Sequence, residues 1–156
     1  MTKDNNLEDL RIHGMVQLLD ERKKTCILLN GSTVIFEAEG LGVKPLRQLR
    51  QSAIKKHPGD YFILIDRVIG KGALMLSELI GADEIYTPLT SQCALDYSKR
   101  CGIPIHALSV VPFIENRDRT GMCPIENSVQ HTDDPAQGEC NIEDAIHWLM
   151  NAKPQT

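Results

Sequence analysis

The sequence predicts an α/β fold in three layers: a mixed five-stranded sheet, made of an N-terminal β-hairpin plus parallel strands, with helices on both faces. Three observations carry this. Apolar residues recur at helical spacing in several separate segments. The dipeptide Asn30-Gly31 stands between two strand-like runs. Beyond residue 60, strands and helices alternate, and strands joined through helices need crossovers that leave them parallel.

Residues 7–22 place Leu7, Leu10, Met15, Leu18 and Leu19 on one helical face. Asn6 reads as the N-cap, with Glu8 and Asp9 in the first turn and Arg22, Lys23 and Lys24 at the end, where each charge suits the helix dipole. Next, "TCILLNGSTVIFEAEG" reads as two strands about a two-residue turn at Asn30-Gly31, because both residue types tolerate positive φ. "VKPLRQLRQSAI" returns to helical spacing through Leu46, Leu49, Ala53 and Ile54, and "HPGD" ends it. A strand over 61–69, a helix over 71–80, a strand over 84–88, a helix over 91–101 and a strand over 105–111 follow. Gly81 and Gly102 stand just past two of the helices, where a left-handed cap favours glycine. The stretch 127–141 is polar and rich in turn formers and reads as a loop. A short closing helix capped by Asn141 follows, with Ile146, Leu149 and Met150 facing inward. The expectation is one domain over 1–156, its core over 7–126 and the polar loop and closing helix over 127–156.

At 156 residues, 42% hydrophobic and 24% charged, the composition is that of an ordinary globular domain. The opening "MTKDNNLEDL" lacks the apolar core of a signal peptide, and no apolar run approaches the ~20 residues that cross a bilayer. A cytoplasmic location without membrane attachment is the expectation. The five cysteines are scattered and odd in number, which suits reduced thiols. Residues 115–144 hold eight acids against two arginines, a local charge of −6 that leaves +2 elsewhere in a total of −4. That balance gives no case for nucleic acid, which favours clustered basic surface.

"DRVIGKGA" (66–73) and "RDRTGMCPIE" (117–126) are similar to a small family of uncharacterised prokaryotic domains with a cytidine deaminase-like fold. The order of elements over residues 7–112 follows that fold, and the resemblance spans 25–130. It implies that the second and third helices aim their N-termini at one pocket. Zinc deaminases hold their metal there with H/C-x-E on one helix and P-C-x-x-C on the other, the glutamate moving protons for the metal-bound water. In this chain the two positions read "GVKPL" and "VIGKGA", and neither motif occurs anywhere. "MCPIE" reverses the proline–cysteine order and follows the fifth strand. The expectation is a zinc-free domain with no metal site, no required cofactor and no zinc-dependent deaminase activity.

Lys44 beside one helix start and Gly70-Lys71-Gly72 at the other turn the pocket of that fold into a candidate anion site, because helix N-termini present free N–H groups. Asp66 lies by the same crevice, suited to accept from ribose hydroxyls or a base edge. Each residue also has a plain alternative. Lys44 and Lys71 suit solvated helix starts, Asp66 suits a cap or an ion pair, and the basic helix 44–56 suits a solvated face. His106 reads as structural. Cys123, His131, Cys140 and His147 are spaced like no zinc finger. Pro124 after Cys123 suits the first helical position, making Cys123 an N-cap with Glu126 placed to bond back to it. The alternative is a thiol activated by the helix start with Arg117 or Arg119 nearby.

The candidate ligand-binding residues are thus Lys44, Asp66, Gly70, Lys71, Thr120, Gly121, Cys123 and Glu126. The first functional reading is a sensor or regulator that binds a nucleotide or another phosphorylated small molecule. The second is an enzyme using Cys123, or Asp66 with Lys71, in covalent or acid–base chemistry. The third is a structural assembly unit, since relatives of the fold commonly form homo-oligomers.

Overall fold

Residues 26–29 and 62–65 are apolar at every position because both faces of the strands they form are covered. The computed structural model describes residues 3–151. In chain order the elements are α1 (Lys3–Arg22), β1 (Cys26–Asn30), β2 (Thr33–Ala38), α2 (Lys44–Gln51), β3 (Phe62–Asp66), β4 (Val68–Ile69) and α3 (Lys71–Ile80). They continue with β5 (Glu84–Ser91), α4 (Gln92–Cys101), β6 (Ile105–Val111), α5 (Pro124–Ser128) and α6 (Pro135–Asn151).

The six strands form one mixed sheet. β1 runs antiparallel to β2 and β3, whereas β5 runs parallel to β3, β4 and β6. The expected single strand over 61–69 is broken at Arg67. Ile63 pairs with Glu84 and Val68 with Leu89, so β3 and β4 keep one register along β5. Six strands therefore occupy five positions across the sheet. The break has a local cause: the Val68 N–H turns back to Asp66 Oδ1 at 3.4 Å, and the Arg67 N–H donates to Thr25 O at 3.2 Å.

Side-chain alternation sorts the core into two halves. Ile27, Leu29, Ile65 and Tyr86 pack with Ile12 and Leu19 of α1. Cys26, Leu28, Phe62, Leu64 and Ile85 pack with α2, α3, α4 and α6 on the other face. Helices thus cover both faces, as expected.

Several sequence expectations need correction. α1 starts before Asn6, which lies inside the helix rather than capping it. Leu7 and Leu10 are exposed, and the residues buried from this helix are Ile12 and Leu19. The hairpin loop is Gly31-Ser32, one position later, because Asn30 still pairs with Thr33 in the ladder; a bulge between Leu28 and Leu29 then shifts the register farther along. Asn30 instead fastens the next loop, donating to Asp60 Oδ1 at 2.9 Å and accepting from the Tyr61 N–H at 3.0 Å. α2 stops at Gln51, leaving Ala53 exposed.

The largest correction is at the C-terminal end. Residues 135–141 are helical, not loop, and Asn141 caps nothing: it lies inside α6 and donates to Ser128 O at 3.0 Å. The helix starts where Asp134 Oδ1 accepts the Ala136 N–H at 3.1 Å, just before Pro135. Its inward residues are Gly138, Ile142 and Ile146, whereas Leu149 and Met150 are exposed. Gly138 permits contact with α3, since a Cβ there would meet Met75 Sδ at 2.3 Å. Residues 152–156 of the expected closing helix lie outside the described residues, as do Met1 and Thr2.

Candidate functional site

α2 and α3 both begin beside the end of β3, and a cavity of about 280 Å³ opens between them. The loop before α2 forms one wall through Gly40, Leu41, Gly42 and Val43, with Leu46 from the helix itself. Gly40 and Gly42 have φ of +147° and +59°, conformations that side chains disfavour. Asp66, Arg67 and Val68 form the strand side, and Gly70, Gly72 and Ala73 the start of α3. Ile114, Cys123, Ile125 and Glu126 close the cavity.

Two buried carboxyl groups face this largely apolar space. Asp66 is 6% exposed. Burial raises its pKa to about 7, against the lowering effects of the Val68 and Arg67 N–H groups, the Cys26 thiol and the Arg67 charge. The Cys26 thiol beside it is buried and pushed well above its ordinary pKa, first by burial and then by Asp66.

Glu126 is 2% exposed and is held by three donors. The Ser91 hydroxyl and the Ile114 N–H both donate to its carboxylate, and the Lys71 N–H does so at 3.4 Å. Ser91 is also the N-cap of α4, accepting the Ala94 N–H at 3.1 Å. Glu126 therefore stands before the starts of α3 and α4, where the helix dipoles favour negative charge. The anion expected at the start of α3 is a side chain of the protein itself.

The sequence-predicted residues divide accordingly. Asp66, Gly70, Cys123 and Glu126 meet at the cavity. Lys71 does not line it: its ammonium pairs with Asp133 Oδ1 at 3.0 Å and lies 5.6 Å from the centre of the Tyr97 ring. Lys44 is exposed at the start of α2 and outside the lining. Thr120 and Gly121 lie in the turn bounded by the Glu115–Met122 bridge, where Asn116 accepts the Thr120 N–H at 3.0 Å.

Cys123 does hold the N-cap position of α5, with Pro124 next, but its thiol makes no capping hydrogen bond. The Glu126 carboxylate does not return to the Cys123 N–H, which donates to Ile114 O at 2.7 Å. The Gly-Lys-Gly run is a packing seat. A Cβ on Gly70 would crowd Ile114 and Glu126, and one on Gly72 would lie 3.2 Å from both Ile125 and Ile142 side chains.

Sequence reasoning missed the 40–43 wall, Arg67, Ile114 and Ile125. The two closely spaced glycines of "EGLGV" were the available signal for the wall. Arg67 and Ile125 stand inside "DRVIGKGA" and "RDRTGMCPIE" but are not polar groups of a recognised chemistry, and Ile114 lies in no motif. Among the described residues, no group of three or more His, Cys, Asp or Glu is placed to hold a metal ion, and no helix is long and apolar enough to cross a membrane.

A family model described as TM1506, a domain of unknown function (DUF1893), matches residues 14–146. Among solved structures, the chain is similar to the crystal structure of a DUF1893 family protein (TM1506) from Thermotoga maritima. The two are 24% identical, with a TM-score of 0.72 over 87% of this chain and 88% of that one. No curated protein matches.

Proposed function

Because the chain belongs to the DUF1893 family of domains of unknown function, we propose from its geometry that it is a zinc-free domain of cytidine deaminase-like fold that binds a small heterocyclic ligand of nucleoside type. The strand order β2-β1-β3/β4-β5-β6 supports that fold, as do helices that follow β2 and β4 and start at one crevice. The observation that carries the binding reading is the cavity itself, with apolar walls and two buried carboxyls. Apolar walls suit the faces of a ring, and carboxyl oxygens suit N–H groups at its edge. At about 280 Å³ the cavity is near the lower end of the roughly 300–1,000 Å³ typical of ligand pockets. A base with its sugar suits that size, and a phosphate chain belongs outside it.

The test is binding of the common nucleosides, read by thermal shift and by the rate at which iodoacetamide alkylates Cys123. A bound ligand raises the melting temperature and slows alkylation, because Cys123 lines the cavity. Ala73→Leu fills the cavity and removes both effects. If no nucleoside shifts either readout, the binding reading is wrong.

A second reading has its own support. Asp66, with a pKa raised to about 7, is suited to exchange a proton with a bound ligand near neutral pH. As an acid–base group it would act without Lys71, whose ammonium is engaged by Asp133. Turnover of a bound nucleoside that is lost in Asp66→Asn would establish this reading.

A further inference from the structure

We propose that Asp66 selects the ligand, and that the ligand is a planar heterocycle presenting two adjacent N–H donors, the 2-amino-oxo edge found in guanine and pterins. This rests on the binding reading above and narrows it to one chemical class.

The two carboxyls differ in what they have left to offer. Glu126 already accepts from Ser91, Ile114 and Lys71. Asp66 has weaker company: the Val68 N–H at 3.4 Å, the Cys26 thiol and the backbone at Arg67. A carboxylate has about four acceptor positions, and a thiol is a poor donor, so Asp66 retains capacity toward the cavity. A desolvated carboxylate gains most from two parallel N–H donors, which engage both oxygens at once.

The surrounding groups point the same way. The titratable and charged residues about Asp66 are Cys26 on β1, Arg67 beside it, and Cys123 and Glu126 across the cavity. Arg67 is itself paired with Asp20 Oδ1 at 2.9 Å. Among the described residues the lining therefore offers acceptors and little positive charge, and an N–H-rich edge complements it. Adenine and neutral cytosine pair a donor with an acceptor at the equivalent edge. One of their atoms would then face a carboxylate oxygen with no hydrogen between them.

Binding of this class requires the charged carboxylate. A proton held by Asp66 must leave as the ligand enters, so affinity for guanosine rises with pH through neutrality and levels off above it.

The experiment measures the affinities of guanosine, inosine, adenosine and cytidine for the full chain at pH 6 and pH 8. Inosine differs from guanosine by lacking the 2-amino group. Guanosine is expected to bind at least tenfold more tightly than the other three, and more tightly at pH 8 than at pH 6. Asp66→Asn, which replaces one acceptor by a donor, is expected to bring guanosine and inosine within about threefold of each other. The Cys123 alkylation rate in free Asp66→Asn checks that its cavity is intact. Nucleosides that bind without preferring guanosine, or a preference unchanged in Asp66→Asn, overturn the selection by Asp66 and leave the binding reading standing. Binding of none of them removes both.

Discussion

The carboxylate of Glu126 occupies the space that a side chain at position 70 would need. A Cβ built on Gly70 would lie 3.3 Å from Glu126 Oε1 and 3.2 Å from Ile114 Cγ1. Neither neighbour can yield cheaply, because the Ile114 N–H also donates to Glu126. Gly70→Ala is therefore expected to destabilise the fold by about 1–3 kcal/mol, the usual result of overpacking. Urea denaturation measures it. A neutral Gly70→Ala would mean that α5 shifts freely against α3.

Glu126 itself joins α5 to the starts of α3 and α4. Glu126→Ala strands the Lys71 N–H and the Ser91 hydroxyl in a buried place, each at a cost of about 1–3 kcal/mol, and removes the acceptor of the half-buried Ile114 N–H. Glu126→Gln keeps an oxygen for some of them and should lose less. The order of melting temperatures is expected to be wild type, Glu126→Gln, then Glu126→Ala. An Ala variant as stable as the Gln variant would show that these contacts contribute little.

The order of elements was legible because hydrophobic period and glycine caps are local signals. The helices 71–80 and 92–101, and the strand 105–111, fall within a residue of their expected bounds. The start of α6 was not, because its polar first half resembles a loop until Gly138 is seen to face Met75. The site was half legible. Asp66, Gly70, Cys123 and Glu126 lie together, yet the partners of Glu126 and Lys71 come from distant parts of the chain. Glu126 reaches Ser91, and Lys71 reaches Asp133, neither of which any spacing rule connects.

The pairing of Lys71 with Asp133 gives unequal expectations for its two members. The Lys71 side chain is 3% exposed and Asp133 is 52% exposed, with a second partner in Arg100 at 2.7 Å. Lys71→Met removes a buried cation from a helix N-terminus, where the dipole opposes it, and leaves Asp133 paired and wet. Its cost should stay below about 1 kcal/mol, and nucleoside binding should be unaltered. Asp133→Ala leaves the ammonium, among the described residues, beside the Tyr97 ring without its carboxylate, and should destabilise the protein more than Lys71→Met does. The reverse order in denaturant titrations would place Lys71 in water.

Asp66 makes the stability of the protein depend on pH in a defined direction. Its carboxyl holds a proton up to a pH of about 7 in the folded chain, against 3.8 for an ordinary aspartate, and burial is the cause. Between those values the folded state binds a proton that the unfolded state has released. Stability from this group is therefore full below about pH 4, falls as pH rises through the window, and is lost above about 7. The gap corresponds to a penalty on the order of 4 kcal/mol at alkaline pH. Asp66→Asn carries no charge and escapes it, so the variant should be more stable than wild type at pH 8. The advantage should shrink steadily toward pH 4. Unfolding free energies of both proteins at pH 4, 6 and 8 measure the difference directly, with the titrations common to both cancelling. A difference that does not change with pH would mean that water reaches this carboxyl, and that it ionises in the folded protein much as it does in the unfolded one.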